Sequence, residues 1–281
     1  MKVFIDSADL DEIKQAYEWG IADGVTTNPS LMKKAVDKRK KINLKQYIDQ
    51  ILKIAKGTPV SLEVTETSAQ GMITQGKKLY KLFNPVANNV YIKIPVNPAF
   101  KNADKTHFAG IEAIKALSKV NIPVNCTLIF TPEQALLAAK AGAAFVSPFA
   151  GRIDDFIQTN NKMKFNKTDY FPMEGKEKGK NILNDNGIAS GIDLVAQCVD
   201  ILKNHGYKTE VLAASLRNTR QVREAALVGA DISTLPFSVI QDMLKHPKTY
   251  EGMKNFTKDI VPDYVKLTKW NQNKKAWNYH I

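Results

Sequence analysis

The chain is poor in cysteine, holds no long apolar run, and carries neither an internal repeat nor a low-complexity tract. The two cysteines, Cys126 and Cys198, have no paired spacing. That argues against a disulfide framework and against a cysteine-based metal knuckle. No stretch approaches the ~20 consecutive apolar residues of a membrane span. The opening Met-Lys-Val-Phe-Ile-Asp reads as a strand that reaches a carboxylate at residue 6, unlike a signal peptide, which needs a longer apolar core and a small-residue cleavage site. The expected compartment is the cytosol. The 44% hydrophobic and 24% charged fractions are those of an ordinary globular protein, which argues against wholesale disorder.

The 281 residues carry 40 basic and 28 acidic side chains, a net charge of +12. Such an excess invites a nucleic-acid reading, so its location matters. Residues 33–56 hold nine basic and two acidic side chains, and 245–281 hold eight and three. The remainder is balanced at 23 of each sign. The excess therefore sits in two segments and reads as two solvated, lysine-rich helical faces.

Eight short runs rich in Val, Ile and Phe recur along the chain, at 2–6, 24–28, 60–64, 90–94, 124–130, 143–147, 210–215 and 231–235. Between them lie helix-length stretches with apolar residues at helical spacing, such as Leu194, Val195, Cys198, Val199 and Leu202. Strand then helix, eight times, predicts an α/β fold, a single (β/α)8 TIM barrel. An open doubly wound sheet is the alternative. It usually carries a Gly-rich fingerprint after its first strand, where this chain has Asp6-Ser7-Ala8-Asp9, with Asp6 or Ser7 able to cap the next helix. Two segments break the rhythm. Residues 155–187, with six lysines, five acidic residues and few apolar ones, read as an inserted loop or subdomain after strand 6. Residues 246–281 read as a C-terminal helical tail. Its Tyr250, Phe256, Tyr264, Trp270, Trp277 and Tyr279 should pack on the barrel or on a neighbouring subunit.

Barrel strands alternate between interior and helix-facing side chains. In each run one parity is apolar. The other carries Asp6, Glu63, Lys93, Asn125, Thr127, Ser147 and Ser215, all toward the C-terminal ends of their strands. Barrel enzymes keep their active sites on that face. A single serine, threonine or carboxylate there is ordinarily a satisfied hydroxyl or a helix cap; seven at matching ends point to a site.

Lys93, in Val90-Tyr91-Ile92-Lys93-Ile94-Pro95, is the sharpest residue. Burying its ammonium is costly, and desolvation would lower its pKa. A neutral buried amine is the nucleophile of Schiff-base chemistry on a carbonyl. The competing reading is a lysine that snorkels into water at the barrel mouth. Asp6 and Glu63 favour the first, because imine formation and breakdown need proton transfers. Arg152 and Arg217 lie just past strands six and seven, with Ser215 nearby. Two guanidiniums and a hydroxyl at the mouth could hold a phosphate.

These residues make the chain resemble the transaldolase family over nearly its whole length. The carriers are Val3-Phe4-Ile5-Asp6-Ser7-Ala8, Gly24-Val25-Thr26-Thr27-Asn28-Pro29-Ser30-Leu31, the Lys93 strand, Asn125-Cys126-Thr127-Leu128-Ile129-Phe130, Val146-Ser147-Pro148-Phe149 and Ala214-Ser215-Leu216-Arg217-Asn218. The length and the aromatic tail look most like the compact subgroup, which includes fructose-6-phosphate aldolases, although compact members are shorter and the 155–187 insertion departs from them.

The resemblance implies that Lys93 carries a dihydroxyacetone unit as an imine and that Asp6 is the acid/base of carbon–carbon cleavage. It implies that Glu63 and Thr127 hold a proton-shuttling water. Asn28 and Asn125 would bind the hydroxyls of the three-carbon unit, with Ser147 lining the same site, and Arg152, Ser215 and Arg217 would bind the sugar phosphate. Glu63 and Phe149 match the transaldolase branch, where the aldolase branch tends to carry Gln and Tyr. A ring-like homo-oligomer follows from the same resemblance. The expected activity is transfer of a three-carbon ketol unit from sedoheptulose 7-phosphate to glyceraldehyde 3-phosphate in the pentose phosphate pathway, on phosphorylated sugar substrates. No metal and no organic cofactor are expected, since the lysine supplies the electron sink, and no nucleic-acid or membrane partner. The alternatives are aldol cleavage that releases dihydroxyacetone and, remotely, a basic surface that binds nucleic acid or another anionic partner.

Overall fold

The computed structural model describes residues 1–38 and 43–268. Each apolar run becomes a strand, and the chain alternates as expected. β1 (Lys2–Asp6), α1 (Leu10–Glu18), β2 (Gly24–Thr26), α2 (Pro29–Asp37), α3 (Leu44–Ile54), β3 (Val60–Glu63) and α4 (Ala69–Ala87) come first. Then follow β4 (Val90–Pro95), α5 (Ala109–Ser118), β5 (Val124–Ile129), α6 (Pro132–Ala141), β6 (Phe145–Pro148) and α7 (Ala150–Asn160). A two-stranded ribbon, β7 (Glu177–Lys178) and β8 (Asn181–Ile182), precedes α8 (Gly191–Asn204), β9 (Glu210–Ala213), α9 (Thr219–Leu227), β10 (Ile232–Leu235) and α10 (Phe237–Asp242). Apart from the ribbon, the strands close into a parallel barrel in the order β1, β10, β9, β6, β5, β4, β3, β2. This is the (β/α)8 barrel, and among the described residues no helix is long and apolar enough to cross a membrane.

The alternation that suggested the barrel also builds its two cores. Ile5, Val25, Ile92, Ile94, Val124 and Val146 face outward and are buried under the helix layer. Phe4, Phe145, Leu212 and Ile232 face inward and form a second, smaller cluster at the amino ends of the strands. There the Phe4 and Phe145 rings meet edge to face at 5.9 Å, and Tyr91 stacks on Phe145 at 4.7 Å. Gly24 makes this possible, because a Cβ on it would lie 2.6 Å from the Phe4 ring. The lower barrel is thus filled by rings, and polar side chains are left for the upper end.

At that upper end the βα turns supply helix caps. Asp9 caps α1 by accepting from the Asp11 N–H at 3.0 Å. The expectation that Asp6 or Ser7 would do so is corrected: Ser7 accepts from the Asp9 N–H and donates to Glu12. That leaves Asp6 free to face the barrel interior.

The segment 155–187 divides in two. Residues 155–160 continue α7, where Ile153 and Ile157 sit four apart and are buried. Residues 161–190 then cross the surface and carry the ribbon. Phe171 is fully buried, the Tyr170 hydroxyl donates to Glu224 with Arg220 over the Tyr170 ring, and Ser190 donates to the Met173 carbonyl. Burial of one aromatic ring, with these bonds around it, fixes the course of a segment that has almost no regular structure.

Residues from 243 on form a separate unit. It contains α11 (Pro247–Lys258) and α12 (Pro262–Thr268). No residue of α11 is buried, and Tyr250, Phe256, Tyr264 and Leu267 are exposed. The aromatic residues Trp270, Trp277 and Tyr279 lie outside the described residues, as does the stretch 39–42 in the first basic segment. Elsewhere in that segment α3 buries Tyr47, Ile48, Ile51 and Leu52 and turns its lysines to solvent.

Candidate active site

Lys93 enters the barrel because β4 is anchored on both sides of it. Ile92 and Ile94 are fully buried under the helices, so the residue between them must point inward. Strand register then sets its neighbours, pairing Glu63 with Lys93 and Lys93 with Asn125. Lys93 is only 5% exposed. Its Nζ lies 3.3 Å from Glu63 Oε2 and donates to the Thr27 carbonyl at 3.2 Å. A cation buried so far requires a carboxylate partner, and Glu63 is that partner.

Asp6 ends β1 on the same cavity, which has a volume of about 120 Å³. The Thr26 hydroxyl donates to Asp6 Oδ1 at 2.7 Å and lies 2.5 Å from the Thr234 hydroxyl. Desolvation holds the Asp6 carboxyl above the usual carboxylate range, while the Lys93 charge and the Thr26 hydrogen bond pull it down. Thr26 and Thr234 both line the cavity and were missed by the sequence reading. Their signal was register: Thr26 lies beside Asp6, and Thr234 beside Phe4.

On the other side of Lys93, Ser147 donates to Asn125 Oδ1 at 2.7 Å, and Asn125 Nδ2 donates to Ser61 Oγ at 3.0 Å. This chain of three side chains leaves Asn125 with one N–H for a ligand. Asn28 lines the cavity and caps α2, its side-chain oxygen accepting from the Leu31 N–H at 2.9 Å. Phe149 and Arg152 complete the wall, the guanidinium 5.0 Å above the ring.

Three expected residues are placed differently. Glu63, Thr127 and Arg217 are not part of the cavity wall. Glu63 touches the cavity through Lys93. Thr127 is buried beside a register shift between β5 and β6, next to Leu128 at φ +58°, and its hydroxyl has no hydrogen-bond partner. Arg217 is half-buried and gripped by Asp155, with Nη1 to Oδ1 at 2.5 Å and Nη2 to Oδ2 at 2.7 Å. Ser215 does line the cavity, but not by strand parity. Leu212 and Ala214 hold the inward parity, and Ser215 reaches the mouth because its φ of +61° breaks the alternation.

Asp154, beside Asp155, ties three helices together. Its Oδ1 accepts from the Gly191 N–H of α8 at 2.7 Å and its Oδ2 from Gln221 of α9 at 2.8 Å. Burial pushes its carboxyl up to about 7 from an ordinary 3.8, despite these bonds and the nearby Arg217. The folded state therefore retains a proton that the unfolded chain has released between these two values. Its contribution to stability is full below pH ~4 and is lost as pH rises through about 7, a slope worth at most about 4 kcal/mol. Asp154→Asn is expected to flatten the decline of Tm between pH 4 and 7. An unchanged slope in thermal unfolding across that range would contradict this assignment.

An enclosed amine flanked by two carboxylates, hydroxyls and amides, with an arginine at the rim, is equipped to attack a carbonyl and move protons around the adduct. Among the described residues no group of three His, Cys, Asp or Glu side chains is arranged to hold a metal. Residues 3–280 match the transaldolase/fructose-6-phosphate aldolase family. A probable transaldolase of Chlorobaculum parvum is 44% identical over 262 residues, 92% of this chain and 97% of that one. One of Thermoplasma volcanium is 39% identical over 266 residues, 94% and 98% of the two chains. These relatives are thus nearly as long as this chain. Among solved structures, a 2,3-dimethylmalate lyase of the PEP mutase/isocitrate lyase superfamily aligns with 96% of this chain and 85% of its own at a TM-score of 0.50 and 13% identity, which is a likeness of fold alone. The chain belongs to the transaldolase/fructose-6-phosphate aldolase family, enzymes of the transferase or aldolase kind.

Proposed function

We propose that this protein is a transaldolase that moves a dihydroxyacetone unit from sedoheptulose 7-phosphate to glyceraldehyde 3-phosphate, giving erythrose 4-phosphate and fructose 6-phosphate. The observation that carries the reading is the buried Lys93 amine, 3.3 Å from Glu63 and on the same cavity as Asp6.

Lys93 Nζ, once its proton has passed to Glu63, adds to the ketose carbonyl carbon. The carbinolamine loses water to give an iminium. Glu63 and Thr127 hold the water that relays these protons, and the unpartnered Thr127 hydroxyl supports that role. Asp6 then takes the proton of the hydroxyl on the carbon that leaves, which becomes the aldehyde carbon of the aldose as the bond to the three-carbon unit breaks. The bond's electron pair moves into the iminium, an enamine remains on Lys93, and the aldose leaves. Addition to the acceptor aldehyde and hydrolysis reverse these steps. Asn28, Asn125 and Ser147 bind the hydroxyls of the three-carbon unit, while Arg152, Ser215 and Arg217 receive the phosphate. The lysine is the electron sink, so no cofactor is invoked.

Phe149 supports transfer over simple aldol cleavage. Its ring borders the cavity and packs edge to face on Phe130 at 5.8 Å, bringing no hydroxyl to assist hydrolysis of the enamine. The test is product analysis. Erythrose 4-phosphate should form when both sugar phosphates are supplied, with little dihydroxyacetone from fructose 6-phosphate alone. Steady release of dihydroxyacetone without an acceptor would instead establish the aldolase reading.

The reading places the reaction in the pentose phosphate pathway and the protein in the cytosol, where the buried free thiols of Cys126 and Cys198 would stay reduced. The exposed aromatic side chains of α11 and α12 suit a contact within a homo-oligomer. The nucleic-acid reading is not adopted. Lys38 and Lys45 of the basic segment are paired with Asp9 and Asp49, and Lys33, Lys34 and Lys53 are exposed on α2 and α3.

A further inference from the structure

Resting on the reading of Arg217 as a phosphate ligand, we propose that Asp155 is a positioning residue that locks the Arg217 guanidinium and leaves its Nε–Nη2 edge to receive the phosphate. A guanidinium has five N–H donors in a planar fork. Asp155 takes the end of the fork, with one hydrogen from Nη1 at 2.5 Å and one from Nη2 at 2.7 Å. The second Nη1 hydrogen goes to the Lys167 carbonyl at 3.1 Å. Two donors remain, on Nε and Nη2, side by side along one edge. That pair matches two oxygens of a phosphate.

This placement of the guanidinium requires a glycine beside it. Gly151, the second residue of α7, lies against it, and a Cβ there would stand 2.9 Å from Arg217 Nε and 2.3 Å from the Ser215 carbonyl oxygen. The main chain of Arg217 is held as well. Its N–H donates to Gln221 Oε1 at 2.8 Å, and Gln221 Nε2 donates to Asp154 Oδ2 at 2.8 Å. Consecutive carboxylates of α7 therefore hold the same arginine, one by its side chain and one through Gln221 by its backbone. Lys167 comes from the stretch that follows α7, and Thr168 there accepts from Asn218 at 3.4 Å. This stretch is the third anchor of the arginine. Side-chain entropy that a free arginine would lose on binding is lost here on folding.

The test compares the whole enzyme and its Asp155→Asn, Asp155→Glu and Arg217→Ala variants with glyceraldehyde 3-phosphate and with unphosphorylated glyceraldehyde as acceptors. Asp155→Asn is expected to raise KM for the phosphorylated acceptor about tenfold, the worth of one oriented charge-assisted hydrogen bond. Its kcat, and its KM for glyceraldehyde, should stay within about twofold of wild type. Asp155→Glu, which keeps the carboxylate, should recover most of the affinity. An equal rise in KM for both acceptors, or a fall in kcat alone, would mark Asp155 as merely structural. A lower KM for the phosphorylated acceptor would show that Asp155 competes with phosphate, and would overturn the proposal equally. Arg217→Ala separates the two levels. If it leaves the phosphorylated acceptor unaffected, the phosphate reading itself fails. If it raises that KM while Asp155→Asn does not, only the positioning role fails.

Discussion

Lys93→Ala is expected to lower kcat by about 10⁴-fold or more, the scale on which loss of a covalent nucleophile acts. On the proposed mechanism there is no iminium without the amine, and the electron pair of the breaking bond has nowhere to go. Asp6 and the hydroxyls around it cannot replace it, because each moves a proton and none accepts a carbanion. Chemical trapping separates this role from a packing role. Borohydride added with fructose 6-phosphate should reduce the iminium to a stable amine and leave a three-carbon diol on Lys93, seen as a mass increase on its peptide. The alanine variant should take up none. It should also fold, because the Glu63 carboxylate left behind is partly exposed at the barrel mouth and can hydrate. Covalent labelling that persists in Lys93→Ala would end the assignment.

Asp6→Asn is expected to be the next most damaging change, costing about 10²–10⁴-fold in kcat. The amide keeps the shape and the bond from Thr26 but cannot take a proton. The proposed imine formation does not use Asp6, so this variant should still be trapped on Lys93 by borohydride with fructose 6-phosphate while turnover nearly stops. The pH profile gives a second readout. A general base must be ionised, so kcat should rise with pH through the Asp6 pKa. Desolvation lifts that limb above the usual carboxylate position, and the limb should vanish in the asparagine variant. Unchanged turnover in Asp6→Asn, or loss of trapping together with turnover, would assign the proton transfer elsewhere.

The barrel was legible because burial on both sides of a parallel sheet demands apolar runs, and these recur eight times. The ends of the runs were less so. The run at 24–28 stops at Thr26, since Asn28 is drawn away to cap α2. The six residues 155–160 were read as insertion although Ile153 and Ile157 already carried the helical spacing. Within the site, Lys93 and Asp6 stood out because a charge inside an apolar strand is costly and alternation fixes where it points. Ser215 was found for the wrong reason, since alternation would have turned it outward. Thr26 and Thr234 were overlooked because a threonine in a strand is ordinary until register sets Thr26 beside Asp6 and folding brings Thr234 to the Thr26 hydroxyl. The grip of Asp155 on Arg217 spans 62 positions of sequence and has no local signature.

The aromatic packing of Phe4, Tyr91 and Phe145 at the amino ends of the strands has one more consequence. It fills the amino end of the barrel with rings, which leaves the carboxyl end, where Arg152 lines the cavity, as the doorway to Lys93. If the reaction is the proposed transfer, the departing aldose and the incoming aldehyde use that doorway in turn. On that reading the three-carbon unit waits on the lysine while the guests change places.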